Sequence, residues 1–314
     1  VCVCVCVCVC VCVCVCVCPL TMTQGSGAAG QRRGWFSFGE GCGCVEVHSL
    51  WAQWTHSGVS TVTIQDRVDT DASFLLMDVL RTALSSTVPV RLLSTDRSLI
   101  HYTSVGKKLG VDLKEALRSG ALGYVDALAT SSAPPSTPVV EDLSHKSALA
   151  VSVPATATAA GSSDALPPSV RPFCVFQQTL EQLYHLLTDS TEGLDPPKCI
   201  IVDCLNTLAV FSSPEESLLF LHYLQAFVQE NGGVLAVLVH RDEEDPDSLL
   251  LAQSVQHVAD LVLAVQGLDT GLSKDVHGQL LIEYKKQEAQ SPLLLHFKCF
   301  DQGVNFFQPG TWDL

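Results

Sequence analysis

Four stretches of this chain carry residue types that could do chemistry. The first is Gln65-Asp66-Arg67-Val68-Asp69-Thr70-Asp71-Ala72-Ser73, which lies between a strand-like and a helix-like segment. A phosphate loop would sit at such a junction. It needs glycines so that backbone N–H groups can wrap phosphate, a lysine to pair with it and a hydroxyl for magnesium. This stretch has no glycine and no lysine, and its three carboxylates, Asp66, Asp69 and Asp71, would repel a triphosphate; Arg67 is its sole cation. The second is Ile200-Ile201-Val202-Asp203, an apolar strand ending in a carboxylate, as in a Walker B strand that holds magnesium. With no phosphate loop opposite, Asp203 reads as a turn or cap residue. The third is Cys204 with His240, each following an apolar strand and able to face one crevice as nucleophile and base. No third orienting group or oxyanion hole is evident, so packing is the expected role of the thiol. The fourth, Asp242 to Asp247, reads as a solvated acidic loop.

Cys42, Cys44 and His48 make three ligands without a fourth, a poor structural metal site. No catalytic, cofactor or metal residue is therefore assigned. The positive charge is more informative. Lys107, Lys108, Lys114 and Arg118 outnumber Asp112 and Glu115, and Lys274, Lys285 and Lys286 outnumber Asp275 and Glu283. Lys107, Lys108, Lys274, Lys285 and Lys286 are the candidate contacts for RNA phosphate or acidic neighbours, with an ordinary solvated face as the competing role.

The elements that must position these groups alternate. Residues 59–66 alternate like a strand; Asp71 can cap a helix with Leu75, Leu76, Val79, Leu80 and Ala83 on one face. Strands are expected at 89–96 and 121–128, with a basic, partly helical stretch at 101–120 between them. Phe176, Leu180, Leu183, Tyr184 and Leu187 share a helical face. Lys198 to Asp203 and 234–240 read as strands buried on both faces. Ser213-Pro214-Glu215-Glu216 combines a cap, a first-turn proline and a capping-box glutamate, and Asn231-Gly232-Gly233 ends that helix. A helix near 248–258, a strand at 260–266 and strand-like LLIEYK, LLLHFKCF and VNFF close the chain. The order predicts an α/β sandwich, mostly parallel with an antiparallel C-terminal tail.

The 314 residues are 47% apolar and 16% charged, which excludes wholesale disorder and leaves ample material for a core. The net charge of −15 argues against a broad basic nucleic-acid face. Nine of the 15 cysteines fall in the Val-Cys alternation of residues 1–18, which reads as a translated GT dinucleotide repeat. Residues 1–44 are expected to be a disordered leader, and 45–314 a single domain. Residues 129–172 hold seven of the 15 prolines and read as a flexible Pro/Ser/Ala-rich insertion. The other six cysteines form no CxxC pair, and a reduced compartment, cytoplasmic and in part nuclear, is expected.

Three stretches are familiar together. HYTSVGKKLGVDL (101–113), GLDTGLSKDVHGQL (267–280) and VNFFQPG (304–310) resemble segments of the Elongator complex protein 6 family in order and spacing. The resemblance covers about residues 45–310. It implies a RecA-like, P-loop NTPase-type fold whose nucleotide motifs have decayed, and no bound cofactor. It also implies a hetero-hexameric ring with Elongator proteins four and five, docking on the catalytic subcomplex, and tRNA handling. The implied process is carboxymethyl-type modification of the tRNA wobble uridine, the radical chemistry lying in another subunit; no membrane is involved. Two alternatives stay open on the residues alone: a nucleotide-dependent enzyme with a non-standard site around Asp203, Arg67 and His240, and an adaptor using the Pro-rich insertion as a polyproline ligand.

Overall fold

The computed structural model describes residues 44–45, 58–127, 169–173, 178–189, 196–271, 273–285, 291–301 and 303–310. The leader expected before residue 44 and most of the insertion expected at 129–172 lie outside these residues, as do Cys42, His48, Phe176 and Lys286.

The strands are β1 (Cys44–Val45), β2 (Thr61–Arg67), β3 (Val90–Ser94), β4 (Leu122–Asp126), β5 (Val170–Pro172), β6 (Cys199–Val202), β7 (Val234–Arg241), β8 (Leu261–Gln266), β9 (Gly278–Tyr284), β10 (Leu293–Phe300) and β11 (Gly303–Phe307). The helices are α1 (Ser73–Ser85), α2 (Leu99–Lys108), α3 (Leu113–Arg118), α4 (Leu180–Thr188), α5 (Leu205–Phe211), α6 (Pro214–Glu230) and α7 (Pro246–Val258). The described strands form one sheet in the order β1-β11-β10-β9-β8-β2-β7-β6-β3-β4-β5. Pairing is parallel from β8 to β5 and antiparallel from β8 through β11 to β1.

Apolar layers cover both faces of the sheet, which is why β6 and β7 read as unbroken apolar runs. On one face Leu75, Leu76 and Leu80 of α1, Tyr102 of α2 and Leu113 of α3 pack on Val62, Ile64 and Leu92. On the other, Leu183, Leu208, Phe220 and Leu251 of α4, α5, α6 and α7 pack on Ile200, Val202 and Val237. Each such leucine removed from water contributes about 1.5–3 kcal/mol. The antiparallel tail belongs to the α1 side, where Phe297 of β10 meets Phe74 with ring centroids 5.0 Å apart.

The expected cap and first-turn proline of α6 hold. Ser213 Oγ accepts from Glu216 N at 3.1 Å, and the helix ends before Gly232, whose φ of +63° suits glycine. The basic stretch at 101–120 resolves into α2 and α3, joined at Gly110 (φ +76°). Two elements depart from the sequence reading. A short helix, α5, follows β6 with a break of two residues. The residues 170–172, placed at the end of the insertion, form β5, because Val170 and Arg171 pair with β4 and Phe173 is anchored in the α4 side of the core.

Candidate functional site: a crevice closed by its own carboxylates

The parallel strands β2, β7 and β6 are neighbours, and their C-terminal ends bring the loop after Gln65, His240 and Asp203 to one edge of the sheet. The segments leaving this edge part company. The helix after β2 lies on one face and the helices after β6 and β7 on the other, which makes the crevice where α/β sheets bind ligands.

In the loop between β2 and α1 side chains already meet the backbone donors of Arg67, Ala72 and Ser73. Asp66 Oδ2 accepts from Ala72 N at 2.9 Å, and Asp71 Oδ1 accepts from Ser73 N at 2.8 Å. Thr70 folds back, its hydroxyl accepting from Arg67 N at 3.0 Å. A phosphate at this helix start would have to displace two carboxylates from the N–H groups that bind it. Asp71 also pairs with Arg97 at 2.9 Å; hydrogen bonds from Ser73 and Arg97 outweigh burial and keep its carboxyl below the usual range. Arg67 turns away, and with Arg241, its register partner on β7, flanks Glu243 at 3.7 and 3.6 Å.

Asp203 is 2% exposed and holds a turn, as its sequence position suggested. Thr95 N at 2.6 Å, Asp96 N at 3.3 Å, Arg97 N at 3.3 Å and Tyr102 Oη at 3.0 Å all donate to it. The Thr95 hydroxyl is shared between this carboxylate and Cys204 O. Burial, then the Asp203 charge, pushes the Tyr102 phenol well above its ordinary range, so it stays a donor. Both carboxylate oxygens are thus spent on the β3–α2 connection.

The structure supplies the third group that sequence did not reveal for Cys204 and His240. His240 Nδ1 lies 2.6 Å from Asp66 Oδ1, and the Cys204 thiol is a second hydrogen-bonding neighbour of the imidazole. Asp66, then Cys204, raises the His240 pKa to about 10 against the opposing effect of burial. Thr207 Oγ1 donates to Cys204 Sγ at 3.3 Å, and Asn206 clamps His240 through both backbone groups. Cys204 is 2% exposed. The cluster therefore works as a polar weld between β2, β6 and β7. Only the distant pairing of residues 66 and 240 makes it, and no local spacing marks that.

The acidic stretch after β7 caps α7: Asp245 Oδ1 accepts from Asp247 N at 3.2 Å. Among the described residues no group of three His, Cys, Asp or Glu side chains is placed to hold a metal ion. The candidate cations are dispersed. Lys107 and Lys108 are exposed in the last turn of α2, away from the crevice. Lys274 is exposed in the β8–β9 connection, at the crevice edge of the sheet. Lys285 follows β9 at the other edge and pairs with Glu283 at 2.7 Å.

Away from the crevice, α4, α5 and α6 border a recess of about 670 Å³ lined by Tyr184, Leu208, Phe211, Leu219, Phe220 and Tyr223. At and beside it Val210, Leu219 and Tyr223 are more than half exposed.

The family model described as Elongation complex protein 6 matches residues 51–301. This chain belongs to the Elongator complex protein 6 family. Similar proteins of that name are found in Mus musculus, 32% identical over 269 residues, covering 80% of this chain and 91% of the relative. The Danio rerio relative is 30% identical, with coverages of 80% and 90%, and the Homo sapiens relative 30%, with coverages of 77% and 87%. Among solved structures, a KaiC-like protein from Pyrococcus horikoshii OT3 aligns over 79% of this chain and 89% of its own, with a TM-score of 0.46 and 10% identity. As a member of the Elongator complex protein 6 family the chain is an Elongator subunit, and its fold is α/β and three-layered, with a mostly parallel sheet and antiparallel C-terminal strands.

Proposed function

We propose that this subunit acts in the Elongator complex by assembly and performs no chemistry of its own. It joins a hetero-hexameric ring with Elongator proteins four and five, docks on the catalytic subcomplex and helps present tRNA for carboxymethyl-type modification of the wobble uridine, in the cytoplasm and the nucleus. The observation that carries this reading is the state of the crevice. The Ala72 and Ser73 N–H groups at the start of α1 are taken by Asp66 and Asp71, and Asp203 is spent on donors from Ser94, Thr95, Asp96, Arg97 and Tyr102. Exposed Val210, Leu219 and Tyr223 around the helical recess support a role in contact with other proteins. No helix of the described residues is long and apolar enough to cross a membrane.

The test is ATP turnover and equilibrium binding of labelled ATP by the purified chain, beside Asp203→Ala. No binding and equal background rates are expected. Saturable binding, with hydrolysis that falls in the variant, would instead favour an enzyme with a non-standard site around Asp203, Arg67 and His240. Co-purification with Elongator proteins four and five tests the ring.

A further inference from the structure

The recess between α4, α5 and α6 combines an apolar floor with an aromatic wall. Phe173, Leu208 and Phe220, each at most 3% exposed, form the floor. Tyr184 of α4 and Tyr223 of α6 form the wall, their ring centroids 6.1 Å apart and their planes at 64°. An edge-to-face pair covers a face of only one ring, so it does not use up the π-faces of both tyrosines. Tyr223 and Leu219, at the rim, stay more than half exposed.

The lip is acidic. Glu181, in the first turn of α4, and Glu216, in the first turn of α6, both line the recess and are exposed. Among the described residues no lysine or arginine lines it, and neither carboxylate is in an ion pair. A helix start favours a nearby carboxylate, but Thr179, Gln182 and Ser213 cap these two helices, and neither glutamate side chain takes part. Two full negative charges outweigh the half-charges of two helix starts, so the mouth of the recess is net negative.

We infer that the recess receives an arginine side chain flanked by apolar residues on a partner polypeptide. This rests on the contact role proposed above for the recess and adds what the contact recognises. A guanidinium lies flat on a tyrosine face while its N–H edge reaches carboxylates, and its apolar stem and neighbours cover Leu219 and the floor. A lysine ammonium is more strongly hydrated and offers no planar fork. A cavity of about 670 Å³ has room for such a side chain and an apolar neighbour. The net charge of −15 favours a basic partner at longer range as well.

Calorimetric titration of the full chain with acetyl-Leu-Arg-Leu-amide, acetyl-Leu-Lys-Leu-amide and acetyl-Leu-Gln-Leu-amide tests this. The arginine peptide binds about 5–30-fold tighter than the glutamine peptide, with the lysine peptide between them. In Glu181→Gln/Glu216→Gln the arginine and glutamine peptides come within about threefold of each other. Glu230→Gln/Glu244→Gln, the same change of net charge away from the recess, keeps the difference. A glutamine peptide that binds as tightly as arginine overturns the inference in favour of an apolar occupant, and a lysine peptide that does so overturns it in favour of a bare cation. Binding of none of the three overturns it in favour of a recess filled by this chain itself or by a second copy. An arginine preference that survives Glu181→Gln/Glu216→Gln overturns it too, as attraction to the whole acidic chain. Co-purification with the other Elongator subunits reads the contact role separately: its loss in Leu219→Glu, with no preference among the peptides, leaves that role standing and removes the arginine alone.

Discussion

At one end of the sheet each buried carboxylate is met by several donors; at the other the Arg91 guanidinium of β3 is buried with its Nη2 unpartnered among the described residues. Asp66 and Asp203 have become internal fasteners, joining β2 to α1 and β7, and β6 to the turn before α2. Arg91 fastens nothing beyond its own strand. The contrast shows that burial alone does not identify a working site. A saturated polar cluster stabilises the fold, whereas an unsatisfied one at the same depth costs stability.

The comparison breaks most visibly through Asp203. Asp203→Ala leaves Thr95 N, Arg97 N and Tyr102 Oη without their acceptor and should cost about 3–5 kcal/mol in urea unfolding. A loss below about 1 kcal/mol would show that the carboxylate is not the fastener described. Asp66→Asn removes the charge that holds His240 and should cost about 1–3 kcal/mol by the same measurement. It also changes the pH dependence. The folded chain favours the His240 imidazolium, with a pKa near 10 against 6.5 for an ordinary histidine. That contribution is complete below about pH 6.5 and is lost as the pH rises through about 10. Wild-type stability should therefore decline between pH 7 and 10, and Asp66→Asn should flatten the decline. Arg91→Met sharpens the contrast from the other side: removing a buried, incompletely paired charge leaves unfolding stability unchanged or higher by about 1 kcal/mol. Smallest in stability, within about 0.5 kcal/mol, is Leu219→Glu beside the helical recess. Its effect should fall on co-purification with other Elongator subunits, which is lost if that recess is the contact surface.

The parallel core was legible because its strands are continuous apolar runs, and α6 because Ser213 and Pro214 announce it. The emptied phosphate loop was legible too, from residue types alone. What escaped depends on partners far apart in the chain. Asp66 lies 174 residues from the histidine it orients. The seven-residue α5 is too short to show a period, and β5 emerges from a Pro- and Ser-rich stretch with only three residues to reveal it. Arg91 did leave a signal: a charged residue within PVRLLS, with a glycine at the second position of the neighbouring strand. Of the five candidate lysines, the four among the described residues are spread over α2, the β8–β9 connection and the end of β9, which shows how little a sequence window says about a surface.

The boundary strand β5 has a consequence for how this subunit meets others. Three residues long and closed by Pro172, which has no amide hydrogen, it gives an incoming chain almost nothing to continue the ladder on. Growth of the sheet into a neighbouring molecule is blocked along that flank, so companions on that side must bind through side chains and helical surfaces.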